Sequence, residues 1–274
     1  MSKGPGLFSD IGRRAREILY KDYICERKFS ISTQTNGLAI AASTLLKEGL
    51  PIGDVAAQYK YNNVVIDFKV DTLSNIAAMF SLSDILPSTR SIASIKLPDY
   101  NTGKFELQYF HKHASIGSSV SLNKHPVIDV SATIGTSNTV LGVEGGYDTS
   151  TGEFTKYNVG VSMIKPDFST SVILAERADL VKASYVQYLE KVRTTTVVEF
   201  ANRFSEEGNT LTVGGSCAVD DLTLIKLKLN NQGNFGAVLQ HEFRPKSVLT
   251  VSAEFDYNSL DAYPRIGLSL ALKP

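Results

Sequence analysis

The sequence predicts an all-β protein: a transmembrane β-barrel of about 19 strands preceded by a short amphipathic helical segment. Three observations predict it. From about Phe29 to the C-terminus, apolar residues recur at every second position in short bursts. Turn signals separate the bursts at intervals of about ten residues. The N-terminal stretch breaks this rule and follows the period of a helix.

Within residues 7–20, Leu7, Phe8, Ile11, Ala15, Ile18 and Leu19 fall at helical spacing, while Arg13, Arg14, Arg16 and Glu17 lie mostly on the other flank. Such a segment forms an amphipathic helix with a basic side, and Ser9 or Asp10 is placed to cap it. An Arg-rich amphipathic start also resembles a cleavable organelle-targeting peptide. Asp10, Glu17 and Asp22 argue against that, because such peptides are poor in acids. We therefore expect residues 1–23 to form a helical segment and residues 24–274 a single barrel domain.

The strands follow. Val64, Ile66, Phe68 and Val70 alternate with Val65, Asp67, Lys69 and Asp71, which gives one apolar and one mostly ionic face. Phe105, Leu107 and Tyr109 alternate with Lys104, Glu106 and Gln108; Leu249, Val251, Ala253 and Phe255 alternate with Thr250, Ser252 and Glu254. Successive strand side chains point to opposite faces, so each burst is an amphipathic strand. Asn36-Gly37, Gly49-Leu50-Pro51, Asn62-Asn63, Asn101-Thr102-Gly103, Lys124-His125-Pro126, Thr151-Gly152, Glu207-Gly208-Asn209, Asn231-Gln232-Gly233 and Arg244-Pro245-Lys246 punctuate the run as hairpin turns. Strands are expected at 25–34, 37–46, 53–61, 64–72, 75–83, 90–97, 104–111, 114–122, 127–135, 138–147, 154–163, 167–175, 179–188, 193–202, 209–218, 221–229, 235–243, 247–256 and 264–273. No composition shift marks a linker.

Composition alone does not separate a soluble from a membrane protein, since 20% charged and 43% hydrophobic residues suit either. A soluble sandwich would bury its apolar face against a second sheet and show larger core side chains. This chain has no Trp, and small residues occupy both faces, among them Ala41, Ala42, Ala56, Ala57, Ser118, Ser119, Gly145 and Gly146. Strands of about ten residues tilted by about 45° cover roughly 23 Å, the height of the apolar band of a membrane barrel. No apolar run approaches the roughly 18 to 20 residues of a spanning helix, so insertion must be as a barrel. Met1 to Gly6 lacks the features of a secretory signal peptide, and we expect retention inside the cell or insertion into an organelle from the cytosol.

The 28 basic and 28 acidic residues balance, so no global field predicts a nucleic-acid partner. Cys25 and Cys217 read as two unpaired thiols, far apart and not spaced for metal. His111 and His113 flank Lys112 at a turn, which is poor geometry for a metal site. His125 precedes a proline at another turn, and His241 sits near a strand end. Gly142-Val143-Glu144-Gly145-Gly146 lies in a strand with no following helix or lysine, so it is not a phosphate-cradling loop; its small residues permit close packing or bending of the wall. The residues present no catalytic, metal or cofactor constellation, and we expect a non-enzyme.

Residues Phe8-Ser9-Asp10-Ile11-Gly12-Arg13-Arg14-Ala15-Arg16-Glu17-Ile18-Leu19-Tyr20-Lys21-Asp22-Tyr23 resemble the N-terminal helix of the mitochondrial voltage-dependent anion channels, the eukaryotic porin family. Leu141-Gly142-Val143-Glu144-Gly145, Lys228-Leu229-Asn230-Asn231 and Phe235-Gly236 extend the match over essentially the whole chain, in a plant-type form. The resemblance implies antiparallel strands closed by one parallel pair, first against last, with the helix inside the pore. Arg265-Ile266-Gly267-Leu268-Ser269-Leu270-Ala271-Leu272 resembles the last-strand sorting signal of mitochondrial barrels, with Arg265, Gly267, Leu270 and Leu272 as its key positions. The implied location is the mitochondrial outer membrane. Homo-oligomerisation and cytosolic enzyme docking are implied in the same way. Two departures matter. Phe68 stands where animal members carry a membrane-facing glutamate in the fourth strand, and Glu242-Phe243-Arg244-Pro245 replaces a Gly-Leu-Lys sequence linked in some members to nucleotide contact.

Nineteen strands about 4.8 Å apart and tilted about 40° close at a backbone diameter of roughly 38 Å, leaving a lumen of about 25 Å. Ions, phosphate, organic acids and nucleotides should pass beside a helix about 10 to 12 Å wide. Alternation puts Lys60, Lys69, Lys96, Lys104, Lys182, Lys226, Lys228 and Arg265 on the inner face against Asp54, Asp67, Asp71, Glu106, Asp129 and Glu254. Arg13, Arg14, Arg16 and Lys21 of the helix add to the basic side, so the lumen is expected to favour anions weakly. The clustered arginines also suit a voltage sensor. The competing readings are the protein-import pore of the same membrane, whose members carry longer N-terminal extensions, and a soluble β-rich binding protein, which would be monodisperse without detergent.

Overall fold

The computed structural model describes residues 4–47, 49–84, 86–205, 208–257 and 264–273. The turn expected at Glu207 lies outside them. After the N-terminal segment come β1 (Arg27–Thr35), β2 (Leu38–Lys47), β3 (Leu50–Tyr61), β4 (Val64–Asp71), β5 (Ile76–Ser83), β6 (Thr89–Leu97), β7 (Lys104–Phe110), β8 (Ala114–Ser121), β9 (Val127–Gly135) and β10 (Thr139–Asp148). The wall continues through β11 (Glu153–Ile164), β12 (Phe168–Ala175), β13 (Leu180–Leu189), β14 (Thr194–Arg203), β15 (Asn209–Ala218), β16 (Thr223–Asn230), β17 (Asn234–Arg244), β18 (Ser247–Asp256) and β19 (Arg265–Leu272). Each strand pairs antiparallel with the next.

The two ends of the sheet meet. β1 runs parallel to β19, with Arg27 opposite Leu268 and Ile31 opposite Leu272. The single 19-stranded sheet is thereby a closed barrel with no free edge. The parallel seam follows from the odd strand number, because an antiparallel meander with an odd count leaves its first and last strands pointing the same way. Among the described residues no helix is long and apolar enough to cross a membrane, and strands alone form the wall.

Residues opposite each other in a ladder share a face, so the register carries sidedness around the wall. Tyr59, Ile66 and Phe80 form one such row and face out. Phe105, Leu107, Val143, Val161, Val213, Leu239 and Leu268 are likewise large, apolar and exposed, the coat of a lipid-facing surface. Phe68, 44% exposed, belongs to this coat, so the fourth strand presents a ring and not a carboxylate to lipid.

The helical segment differs from the continuous helix expected over residues 7–20. It is a 3-10 turn at Phe8–Asp10 followed by α1 (Arg13–Leu19). Gly12, at φ +70°, makes the break, a left-handed conformation that costs glycine little. Neither Ser9 nor Asp10 caps α1. Asp10 Oδ2 instead accepts from the Leu7 amide at 3.0 Å and closes the preceding turn. The third strand also starts earlier than expected, at Leu50, with Pro51 at its start, where a missing amide is tolerated.

The two faces of β7 make the membrane reading measurable. Leu107→Arg, on the lipid side, should destabilise the barrel in bilayers by about 2–4 kcal/mol, whereas Gln108→Arg, on the lumen side, should change stability by less than about 1 kcal/mol. Urea unfolding of the two variants in lipid vesicles checks the difference.

Candidate pore and its inner helix

The N-terminal segment lies inside the barrel and is held at both ends. Near its start, Ser115 Oγ on β8 donates to the Pro5 carbonyl at 2.5 Å and Thr133 Oγ1 on β9 to the Gly6 carbonyl at 2.7 Å. At the other end Lys226 on β16 reaches Asp22 at 2.8 Å, Ser252 on β18 donates to the Ile24 carbonyl, and Cys25 Sγ donates to Glu254 at 3.2 Å. The Lys228 ammonium sits 4.0 Å from the centre of the Tyr23 ring. The segment therefore sweeps from β8 round to β18 before entering β1.

Between these anchors its apolar face packs on the wall in two clusters, one on each side of Gly12. Phe8 and Ile11 meet Val140 and Ile173; Ala15 and Leu19 meet Val186 and Val197, with Ile18 and Tyr188 beside them. A fully buried side chain of this size contributes about 1.5–3 kcal/mol. The close approach needs glycine on the wall. A Cβ on Gly142 would lie 2.9 Å from both Ile11 and Phe8, and one on Gly214 2.6 Å from Leu19. The small residues around Gly142 thus have a packing role.

The polar face of the helix looks into the bore. Arg13 pairs with Glu17 at 2.9 Å and Asp10 at 3.4 Å, and the Glu17 contact above all raises its pKa further. Arg14 donates to the Tyr188 hydroxyl at 2.8 Å, and Arg16 to the Ser9 carbonyl. Tyr20 donates to Glu199. Burial first, and that carboxylate second, hold its phenol above the ordinary range.

The register puts Lys60, Lys69, Lys96, Lys104, Lys182, Lys226, Lys228 and Arg265 on the inner face, together with Asp54, Asp67, Asp71, Glu106, Asp129 and Glu254. Most of these cations are paired. Lys69 bridges Asp54 at 3.1 Å, Lys104 bridges Glu106 at 2.9 Å, Lys182 bridges Glu199 at 3.5 Å, Lys226 bridges Asp22 at 2.8 Å and Lys228 bridges Glu254 at 2.6 Å. Arg265 reaches Glu254 at 3.7 Å. Lys60 and Lys96 have no ion pair among the described residues. The inward charges named from the sequence were incomplete. Lys28, Arg90, Lys156 and Arg203 are basic, and Glu144, Asp148, Glu153, Glu199, Glu242 and Asp256 acidic. With these, the two signs on the wall come close to balance, and the basic excess is smaller than the first list implied. Lys156 binds both Glu144 at 2.8 Å and Asp129 at 3.3 Å.

No group of three or more His, Cys, Asp and Glu residues that could hold a metal ion occurs among the described residues. Cys25 and Cys217 are both free thiols.

The profile of the eukaryotic porin family matches residues 4–267. Mitochondrial outer membrane protein porin 2 of Arabidopsis thaliana is 50% identical with full coverage of both chains, and mitochondrial outer membrane protein porin 5 of Oryza sativa is 47% identical over 99% of each. The outer plastidial membrane protein porin of Pisum sativum is 44% identical over the full length of both. Among solved structures, a triple mutant of the Rhodopseudomonas blastica porin superposes with a TM-score of 0.50 at 9% identity, covering 83% of this chain and 89% of the other. That likeness concerns the barrel fold.

Docking of the segment rests on the glycine contacts and on Leu19. Gly142→Val with Gly160→Val should expel Phe8 and Ile11 from the wall, and Leu19→Ala should weaken docking by about 2–5 kcal/mol, the usual range for emptying a buried leucine site. Hydrogen exchange is the measurement: amides of residues 8–19 should lose protection while those of β13 and β14 keep theirs.

Proposed function

Because the chain belongs to the eukaryotic porin family, we infer that its bore is the functional site: the protein is a voltage-dependent anion channel of the mitochondrial outer membrane, and not an enzyme. Its outer coat contacts lipid and solutes pass through the lumen. A bore about 25 Å wide admits hydrated ions, phosphate, organic acids and nucleotides even with α1 against the wall. The single observation that carries a weak anion preference is that unpaired ammonium and guanidinium groups project into the water. Lys28, Lys60, Arg90 and Lys96 on the wall and Lys21 on the N-terminal segment have no ion pair among the described residues, and Arg14 and Arg16 bind only neutral oxygens. Screening within about 8 Å at physiological salt keeps such a preference small.

The helix is the natural voltage-sensing element in this reading. One charge crossing 100 mV is worth about 2.3 kcal/mol, so displacement of a few arginines couples pore state to voltage. Contacts between copies and docking of cytosolic enzymes at a mouth complete the reading, and both rest on the family alone.

In planar bilayers a potassium chloride gradient should give a reversal potential of the sign set by chloride, and Lys28→Gln, Lys60→Gln and Lys96→Gln combined should move it toward zero. A cation-selective reversal potential in the unmodified protein would sink the preference. With Arg13, Arg14 and Arg16 changed to Gln, single-channel records should show a shallower voltage dependence; unchanged gating and unchanged selectivity would remove the helix from both roles.

A further inference from the structure

The wall charges are not spread evenly. On the inner face of β1–β6, which the N-terminal segment leaves bare, Lys28, Lys60, Arg90 and Lys96 stand without ion-pair partners among the described residues. Of the carboxylates on the same face, Asp54 is paired with Lys69 at 3.1 Å and Ser43, while Asp67 accepts from the Gln58 amide at 2.5 Å and Asp71 from the Asn75 backbone and amide of its own turn; these two keep their charge, and the cations outnumber them. Chain direction alternates between neighbouring strands, so Lys28 near the start of β1 and Lys96 near the end of β6 share one mouth. Lys60 near the end of β3 and Arg90 near the start of β6 share the other. Unpaired cations therefore stand toward both mouths of this face, with Asp67 on the row between them, and the face is basic on balance along its length.

The inner face of β9–β11 has the opposite sign. Asp129, Glu144, Asp148 and Glu153 lie there, and Lys156 is the one cation among the described inward side chains of these strands. This acidic stretch does not run the length of the pore. It occupies the half toward the mouth where β9 begins, and beyond Glu144 the same wall is covered by Phe8 and Ile11, seated on Gly142 and Gly160. The two faces lie about a third of the circumference apart, roughly 20 Å across the bore. At physiological salt a charge is felt over about 8 Å, so each face acts on the ions near it and not on those near the other.

We propose that the pore carries the two signs along different walls: anions along the helix-free face of β1–β6 through its whole length, and cations along β9–β11 only as far as the docked helix. The proposal rests on the channel reading above and gives it a cause. A bore whose wall charges nearly cancel still prefers anions, because only the anion path is continuous.

The test is local obstruction without change of charge. In a background of Cys25→Ser and Cys217→Ser, Met79→Cys places a thiol on the helix-free face, where Met79 is 41% exposed. Ser131→Cys places one opposite Glu144. Each is reacted with benzyl methanethiosulfonate, which is bulky and neutral, and the chloride-to-potassium permeability ratio is read from reversal potentials. The adduct at position 79 should lower the ratio by about twofold and the adduct at position 131 should raise it, a difference of about 0.4 kcal/mol for each twofold change. Met79→Trp, which adds neutral bulk at the same place without any reagent, should also lower the ratio, and this keeps the proposal testable if either cysteine variant fails to insert. Equal loss of conductance from both adducts at an unchanged ratio would overturn separate paths and leave the channel intact. Absence of anion preference in the unreacted background would instead remove the selectivity reading, and the two paths with it.

Discussion

The rest of this structure depends on the requirement that every backbone donor and acceptor at membrane depth be paired. A sheet in lipid cannot leave an edge open, since each unpaired group there costs several kcal/mol. The β1–β19 seam meets that requirement. Both strands begin at the same mouth, and the contacts of Asp22 and Ile24 with Lys226 and Ser252 bring the residues preceding β1 there from the lumen side. Gly4 lies against the His111–Lys112 backbone at the opposite mouth. The segment thus runs the length of the bore: closure sets the mouth at which β1 starts, and packing on the inner wall sets the course of the residues before it.

A segment inside a wide, wet pore has little apolar surface to bury against, and the wall compensates by recessing itself. Gly142, Gly160 and Gly214 form the inner surface where Phe8, Ile11 and Leu19 make contact. Gly12 lets the segment bend so that both halves follow the curved wall. The same bend divides the packing into two clusters, which gives the inner segment two footholds in place of one continuous face.

The strands were legible because one physical rule, alternation between lipid and water, acts on nearly every residue of the barrel. Rows such as Tyr59, Ile66 and Phe80 follow from it directly. The break at Gly12 was less legible, since helical spacing on both sides of it looks continuous when only periodicity is read. Charge pairing was the least legible, because cross-strand partners depend on register, and register depends on turn lengths and bulges. Lys156 shows why. Counting by twos from the outward Phe154 puts Lys156 on the lipid side, but the register shifts between Gly146 and Tyr147 and brings it inward onto Glu144 and Asp129. Glu144 itself follows the alternation of Leu141 and Val143 and was readable as a lumen acid.

Pairing also explains how a pore lined with lysines can pass anions without holding them. Half-exposed ion pairs such as Lys104–Glu106 contribute about 0–1 kcal/mol to stability, so their main effect is on the local potential. An unbroken column of free lysines would bind polyvalent anions tightly, and conduction requires sites weak enough to leave. Cross-strand carboxylates quench most of the column, and a few well-separated cations on the bare face remain to attract. The weakness of the selectivity is in this view a condition of throughput: the wall that lets a nucleotide or phosphate enter is the wall that must let it go.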